Sequence, residues 1–128
     1  MKITLIKVAM GGHISSDAME PLAFAVIAAL TPHHIEMNMH DERIEALPAN
    51  LDCDWLVMSS GSFTIRRTYE LAKKYRAQGI KVAIGGFHTS LIPEEALEYA
   101  DVAFVGDAEG IWPDFIGDIQ RGGFQRIY

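Results

Sequence analysis

Two short apolar runs of the sequence each end in glycine followed by small polar side chains. The first run ends in Gly85-Gly86-Phe87-His88-Thr89 and the second in Gly106-Asp107-Ala108-Glu109-Gly110. A third apolar run ends in Ser59-Ser60-Gly61-Ser62. Glycine lets a ligand come close to the backbone, and hydroxyl groups offer hydrogen bonds without charge. Such ends suit a large, mostly neutral ligand with polar edges.

Length and cysteine content favour one globular domain in a reducing compartment. A chain of 128 residues can bury a hydrophobic core large enough to fold without disulfide bonds. We expect a single domain over residues 1–128. The single cysteine, Cys53, excludes an internal disulfide, a CxxC metal site and the three-cysteine cradle of an iron–sulfur cluster. We therefore expect a cytoplasmic location.

Charge and hydropathy argue against two classes of partner. The net charge is −6, and lysine and arginine cluster only in pairs, so we expect no nucleic-acid partner. The longest unbroken apolar segment, residues 21–30, is about half the length of a membrane-spanning helix, so we expect no membrane insertion. Because this segment carries no charge, it predicts cover by a ligand, a neighbouring domain or a partner, or deep packing against a sheet.

Strands and helices are predicted to alternate along the whole chain. The predicted strands cover residues 3–10, 34–40, 53–60, 80–84 and 102–105. The predicted helices cover residues 17–30 with Asp17 as N-cap, residues 64–77, a short segment that opens at Pro93, and a last segment that contains Trp112 and Ile119. With right-handed crossovers this alternation predicts an α/β fold, a five-stranded parallel sheet flanked by helices in the flavodoxin-like strand order 2-1-3-4-5.

In such sheets ligands bind at the carboxyl ends of the strands, where the glycine and hydroxyl residues would gather. Motifs for competing ligands are missing. Residues 11–16 lack the GxGxxG spacing of a dinucleotide site, although Asp41 and Glu42 stand where a ribose-binding acid would. The third strand ends in serine rather than in the aspartate of a receiver domain, and no GxSxG elbow of a hydrolase is present.

Several short stretches carry a resemblance to a known family. They are residues 60–64 (SGSFT), 69–72 (YELA), 85–89 (GGFHT), 93–97 (PEEAL), 100–101 (AD) and 106–110 (GDAEG). Together they resemble the cobalamin-binding domain that precedes the catalytic barrel in many radical S-adenosylmethionine enzymes. The likeness is strong in the second half of the chain and weak in the first. It implies that a corrin ring lies across the strand ends and that its nucleotide tail descends between the sheet and a helix.

The resemblance also implies which residues touch the cofactor. The nucleotide tail would contact Ser60, Ser62 and Thr64, and the tail and the ring edge would pass Gly85 and Gly86. His88 and Thr89 would add contacts, and Gly106 with Glu109 would lie on the far side of the ligand. A Cβ atom at Gly85 or Gly86 is expected to occupy ligand space, so that Gly86→Val would abolish retention without unfolding the domain. For His88 the alternative is a loop histidine that bonds to its local surroundings.

The segment after the first strand departs from methionine-synthase-like members of the family. Those domains carry a DxHxxG motif whose histidine ligates cobalt, whereas residues 11–17 here read GGHISSD. The resemblance therefore implies a base-off cobalamin without such a ligand, with His13 as a further, weaker candidate contact.

With one cysteine, the chain lacks the cluster that cleaves S-adenosylmethionine. It is expected not to be catalytic alone, and methyl transfer or radical chemistry would fall to a separate radical S-adenosylmethionine domain or subunit. The alternative is a flavodoxin-like nucleotide-binding or protein-interaction domain that binds no cobalamin.

Overall fold

A computed structural model, which describes residues 1–12 and 19–128, shows a parallel sheet with helices on both faces. The strands are β1 (Lys2–Lys7), β2 (Glu36–Asp41), β3 (Trp55–Ser59), β4 (Lys81–Gly85) and β5 (Val102–Ala103). The five strands lie in the order β2-β1-β3-β4-β5, and all neighbouring strands pair in parallel. The predicted fold class and strand order are confirmed.

The helices are α1 (Leu22–Leu30), α2 (Ile65–Arg76), α3 (Phe87–Leu91), α4 (Pro93–Ala96) and α5 (Ala108–Gln120), and a short 3-10 turn, Met10–Gly12, follows β1. The polar stretch after β4 is therefore helical and not a loop. Helix α1 begins later than predicted, and its proposed N-cap, Asp17, lies outside the described residues. Helix α5 contains the predicted Trp112 and Ile119 and begins at Ala108. No helix of the described ranges is long and apolar enough to cross a membrane.

One core layer lies between the sheet and the helices α1 and α5. Phe24 and Ile27 are the buried residues of α1, and Trp112 and Phe115 pack against them from α5. The indole Nε1 of Trp112 donates to Thr31 Oγ1 at 2.9 Å, which satisfies the only polar group of a buried tryptophan. Thr31 Oγ1 in turn donates to the carbonyl of Ile27 at 2.7 Å. These bonds join α5 to the C-terminal end of α1.

The opposite core layer is covered by α2, which the sequence predicts well. Its apolar face, which includes Leu71 and Tyr75, is buried against the sheet. The hydroxyl of Tyr75 donates to the carbonyl of Pro48 at 2.8 Å, so the loop after β2 is tied to this helix. Gly79, with φ +83°, follows the helical segment and ends it in the left-handed conformation that suits glycine.

The last residues of the chain lie beside β5. The backbone amide of Ala103 donates to the carbonyl of Arg126, and the amide of Tyr128 donates to the carbonyl of Ala103. The Tyr128 hydroxyl donates to Asp118 Oδ2 at 2.6 Å. Burial, together with this carboxylate, raises the pKa of Tyr128 to about 12.

The raised pKa of Tyr128 predicts a loss of stability at alkaline pH. The ordinary value is 10.0, so the stabilising contribution of the protonated phenol is complete below pH 10 and is lost as the pH rises to about 12. Tyr128→Phe removes this contribution, so the free energy of unfolding should fall less steeply over that interval than it does in the wild type. Urea titrations at several pH values measure both slopes, and equal slopes would contradict the prediction.

Candidate functional site

A cleft of about 580 Å³ opens at the carboxyl edge of the sheet, between α1 and the ends of β3 and β4. Helix α1 forms an apolar wall with Leu22, Ala23 and Val26. The volume lies in the range that small-molecule ligands occupy. This wall belongs to the uncharged segment 21–30, for which the sequence predicted cover by a ligand, a neighbouring domain or a partner. In the structure, part of that segment faces the open cleft.

The sheet side of the cleft comes from neighbouring strand ends. Ser59 at the end of β3 lies opposite Gly85 at the end of β4 in the parallel register, and both line the cleft. Phe104, which follows β5, and Glu109, in the first turn of α5, complete the far side. Parallel pairing therefore collects at one edge residues that are far apart in the sequence.

Gly86 is required by the protein's own backbone. It has φ +98° and ψ −177°, and a Cβ atom there would lie 2.6 Å from the carbonyl oxygen and 2.8 Å from the amide nitrogen of Ser60. A Cβ on Gly85 would lie 3.2 Å from Phe104 Cβ. The backbone of Ser60 is thus a reason for glycine at position 86 that does not involve a ligand, whereas at Gly85 a small shift of the Phe104 side chain would relieve the contact. Gly86→Val is therefore not a clean test of ligand binding. That a Cβ atom at either position would occupy ligand space stays a prediction.

Gly106 differs from this pair because its surroundings are open. It has φ +93°, and a Cβ atom there would meet nothing within 4 Å. Its amide donates to Ser90 Oγ at 3.0 Å, and Ser90 Oγ donates to the carbonyl of Gly86 at 3.0 Å. All three residues line the cleft. The hydroxyl of Ser90 thus links the turn after β5 to the turn after β4 by two hydrogen bonds.

Two buried hydroxyls near these turns lack partners among the described residues. Ser60 is 3% exposed and Thr89 is fully buried, and neither Ser60 Oγ nor Thr89 Oγ1 makes a hydrogen bond there. Buried polar atoms without partners are rare, since each costs desolvation that nothing repays. Neither residue lines the cleft, so a ligand would meet these hydroxyls only after a local shift of the turns that carry them.

His88 lies among local partners. Its Nδ1 atom is 3.1 Å from Ser62 Oγ, and its Nε2 atom is 3.5 Å from Glu95 Oε1. The same carboxylate oxygen accepts a hydrogen bond from the Tyr69 hydroxyl at 3.0 Å, and burial, followed by this bond, raises the pKa of Tyr69. Thr64 Oγ1 donates to the carbonyl of Gly61 at 3.2 Å. Among the described residues, His88 Nε2 is buried and makes no hydrogen bond, although Glu95 is near. His88 and Thr64 do not line the cleft.

The predicted site residues therefore divide into three groups. Those that line the cleft are Gly85, Gly86, Gly106 and Glu109, those that are buried beside it without partners are Ser60 and Thr89, and those with local bonds are Ser62, Thr64 and His88. His13 lies outside the described residues. Ser59, which belongs to one of the predicted ligand-binding strand ends, also lines the cleft. Ser90 and Phe104 line it but were not predicted to do so.

Large apolar side chains are exposed just beyond the strand ends. Met10 follows β1, Phe63 follows β3 and Phe87 follows β4, and their exposed fractions are 67%, 88% and 72%. Exposed apolar side chains grouped at one edge indicate a contact surface for a ligand or a protein. This surface adjoins the cleft, since Phe87 also lines it.

Comparison with known proteins gives matches over most of the chain. The model of the B12 binding domain family matches residues 10–116. The chain is 35% identical over 114 residues to bacteriochlorophyllide d C-8(2)-methyltransferase of Chlorobaculum tepidum, an alignment that covers 84% of this chain and 24% of that protein. It is 26% identical over 110 residues to bacteriochlorophyllide d C-12(1)-methyltransferase of the same organism, with 84% and 24% covered. The chain spans about a quarter of the length of these curated relatives. No solved structure matches.

Proposed function

The chain belongs to the B12-binding domain family, and from this premise we propose that it holds cobalamin with the corrin over the carboxyl edge and the nucleotide tail in the cleft beside α1. The observation that carries the proposal is the cleft itself, which lies between the strand ends and an uncharged helix. The matched region, residues 10–116, includes every described residue that lines it from β3, β4 and the start of α5.

The residues present fit the chemistry of this cofactor. The benzimidazole of the tail is flat and apolar, which suits the α1 wall of Leu22, Ala23 and Val26. Its ribose and base also carry polar atoms, and the hydroxyl-bearing Ser59 lines the cleft. Ser60 and Thr89 hold unpaired hydroxyls next to the lining residues Ser59 and Ser90, and a local shift would bring them to the tail. The exposed Phe63 and Phe87 offer apolar surface to the corrin ring. When bound, the cofactor supplies the cobalt chemistry, and this chain binds and orients it.

We propose that the cobalamin is held base-off. A tail placed in the cleft carries the benzimidazole away from the cobalt, and residues 11–17 contain no DxHxxG motif to supply a replacing histidine. Among the described histidines, His88 is bonded to Ser62 Oγ and stands near Glu95.

We also propose that the catalytic chemistry belongs to a radical S-adenosylmethionine domain or subunit that works with this one. A single cysteine cannot hold the required cluster, and the curated relatives, both named as methyltransferases, are about four times as long as the aligned region. Residues 1–128 form the cofactor-binding domain of that system.

Retention of hydroxocobalamin tests the proposal. The purified protein is mixed with hydroxocobalamin and desalted, and we expect about one cobalamin to remain per chain, with the visible spectrum of the base-off form. After reduction, the Co(II) signal in electron paramagnetic resonance should lack the nitrogen splitting that benzimidazole or histidine ligation produces. A colourless protein would overturn the whole proposal. Retained cobalamin with nitrogen splitting would overturn only the proposal that neither the benzimidazole nor a histidine ligates the cobalt.

A further inference from the structure

A second pocket, of about 370 Å³, adjoins the cleft on its β1 side. Leu22, Ala23, Phe24 and Ser59 line both spaces, so a ligand in the cleft can reach the pocket along the N-terminal half of α1. The pocket differs in charge, because the ammonium-bearing side chain of Lys7, from the end of β1, lines it. Arg43 lines the same pocket, so two cations stand beside the uncharged α1 wall of the cleft. The carboxylates of the cleft, Asp107 and Glu109, come from the turn after β5 and the start of α5.

The surroundings of Lys7 leave its charge available. In the sheet it lies between Asp41 of β2 and Ser59 of β3. The Asp41 carboxylate already accepts two hydrogen bonds from Arg43, whose Nε lies 2.9 Å from Oδ1 and whose Nη2 lies 2.7 Å from Oδ2. Within residues 1–12 and 19–128, no carboxylate lies within 4.0 Å of Lys7 Nζ. Glu20 also lines the pocket, but its side chain is exposed.

Partial burial makes this ammonium an anion-binding group. Burial, followed by the charge of Arg43, lowers the pKa of Lys7, while Asp41 acts in the opposite direction. An anion placed in the pocket would offset the lost hydration of the ammonium. Cobalamin brings one fixed negative charge on its periphery, the phosphodiester that links the ribose to the corrin side chain, and its other side chains are neutral amides.

We propose that Lys7 binds the phosphodiester of the nucleotide tail and thereby makes the site select complete cobalamin over tail-less corrinoids. The inference rests on the proposed function and adds a specificity-determining residue to it. The tail lies in the cleft, its phosphodiester reaches the adjoining pocket near Ser59, and Lys7 donates to a phosphate oxygen.

Two corrinoids and two lysine variants test this assignment. Binding of cobalamin, and of cobinamide, which lacks the nucleotide tail, is measured by equilibrium dialysis for the wild type, Lys7→Met and Lys7→Arg. We expect Lys7→Met to weaken cobalamin binding about tenfold or more and to leave cobinamide binding unchanged, while Lys7→Arg retains most of the cobalamin affinity. Added salt should weaken cobalamin binding in the wild type more than in Lys7→Met.

Lys2→Met is the matched control, because Lys2 begins the same strand at the opposite edge of the sheet. It should leave the affinity for both corrinoids unchanged. Urea unfolding confirms that each variant is folded, and Lys7→Gln replaces Lys7→Met if the latter is not.

Each contrary result has a separate meaning. Equal loss of both corrinoids in Lys7→Met, or no loss of either, overturns the assignment and leaves the proposed function standing. The thermal stability of the wild type and of Lys7→Met is also measured with and without inorganic phosphate. If phosphate stabilises only the wild type while Lys7→Met binds cobalamin normally, Lys7 binds a free anion and the assignment is overturned. A wild type that binds no cobalamin overturns the proposed function, and the assignment falls with it.

Discussion

Gly86→Ala is expected to lower the free energy of unfolding by about 3 kcal/mol or more, in the absence of any cofactor. The new Cβ atom would lie 2.6 Å from the carbonyl oxygen of Ser60, a contact with rigid backbone that only movement of β3 or β4 can relieve. In addition, φ +98° with ψ −177° is a conformation that essentially only glycine adopts. Both effects act on the fold, so lost cofactor binding in this variant would follow from lost structure.

Gly61→Ala is the control for this prediction. Gly61 lies in the turn after β3, where a Cβ atom meets nothing within 4 Å, and its φ is not positive. The free energy of unfolding should therefore stay within about 0.5 kcal/mol of the wild type. Urea denaturation of the cofactor-free proteins gives all three values. A Gly86→Ala protein as stable as Gly61→Ala would show that the turn after β4 tolerates a side chain.

The fold was predictable because its elements differ strongly in pattern. β3 and β4 are continuous apolar runs, as strands covered on both faces must be, and α2 has the contrast between faces that marks an amphipathic helix. Right-handed crossovers then allow few strand orders, and the flavodoxin-like order among them is the one found. The start of α1 was not predictable in this way. Since α1 carries no polar side chain, the spacing of its apolar residues cannot show which face is buried: Leu22 is 75% exposed, whereas Phe24 is buried.

The location of the cleft was predictable, but the contacts of the residues around it were not. Residue types at strand ends, such as Gly85 and Gly106, located the carboxyl edge, because parallel strands bring their ends together. The partner that makes Gly86 necessary is the backbone of Ser60, which lies on another strand end and has no signature in the sequence. Similarly, the position of His88 beside Glu95 depends on how α3 and α4 follow one another.

Ala23→Trp tests whether the nucleotide tail lies in the cleft, because the new indole would fill part of the cleft without disturbing the fold. Ala23 lies in the first turn of α1, is exposed, and lines the cleft, so an indole there extends into space that the structure leaves open. If the nucleotide tail lies in this space, the retained cobalamin should fall about tenfold or more, while the free energy of unfolding changes by less than about 1 kcal/mol.

Ala29→Trp makes the comparison decisive, because it adds the same side chain to the same helix. Ala29 is exposed near the C-terminal end of α1 and does not line the cleft, so it should retain cobalamin like the wild type. The two variants share the helix propensity cost of tryptophan, so that any difference between them reports on position alone. Cobinamide separates the parts of the cofactor: Ala23→Trp should bind it nearly normally, since only the tail competes with the indole. If Ala23→Trp retains cobalamin as well as Ala29→Trp does, the tail lies elsewhere.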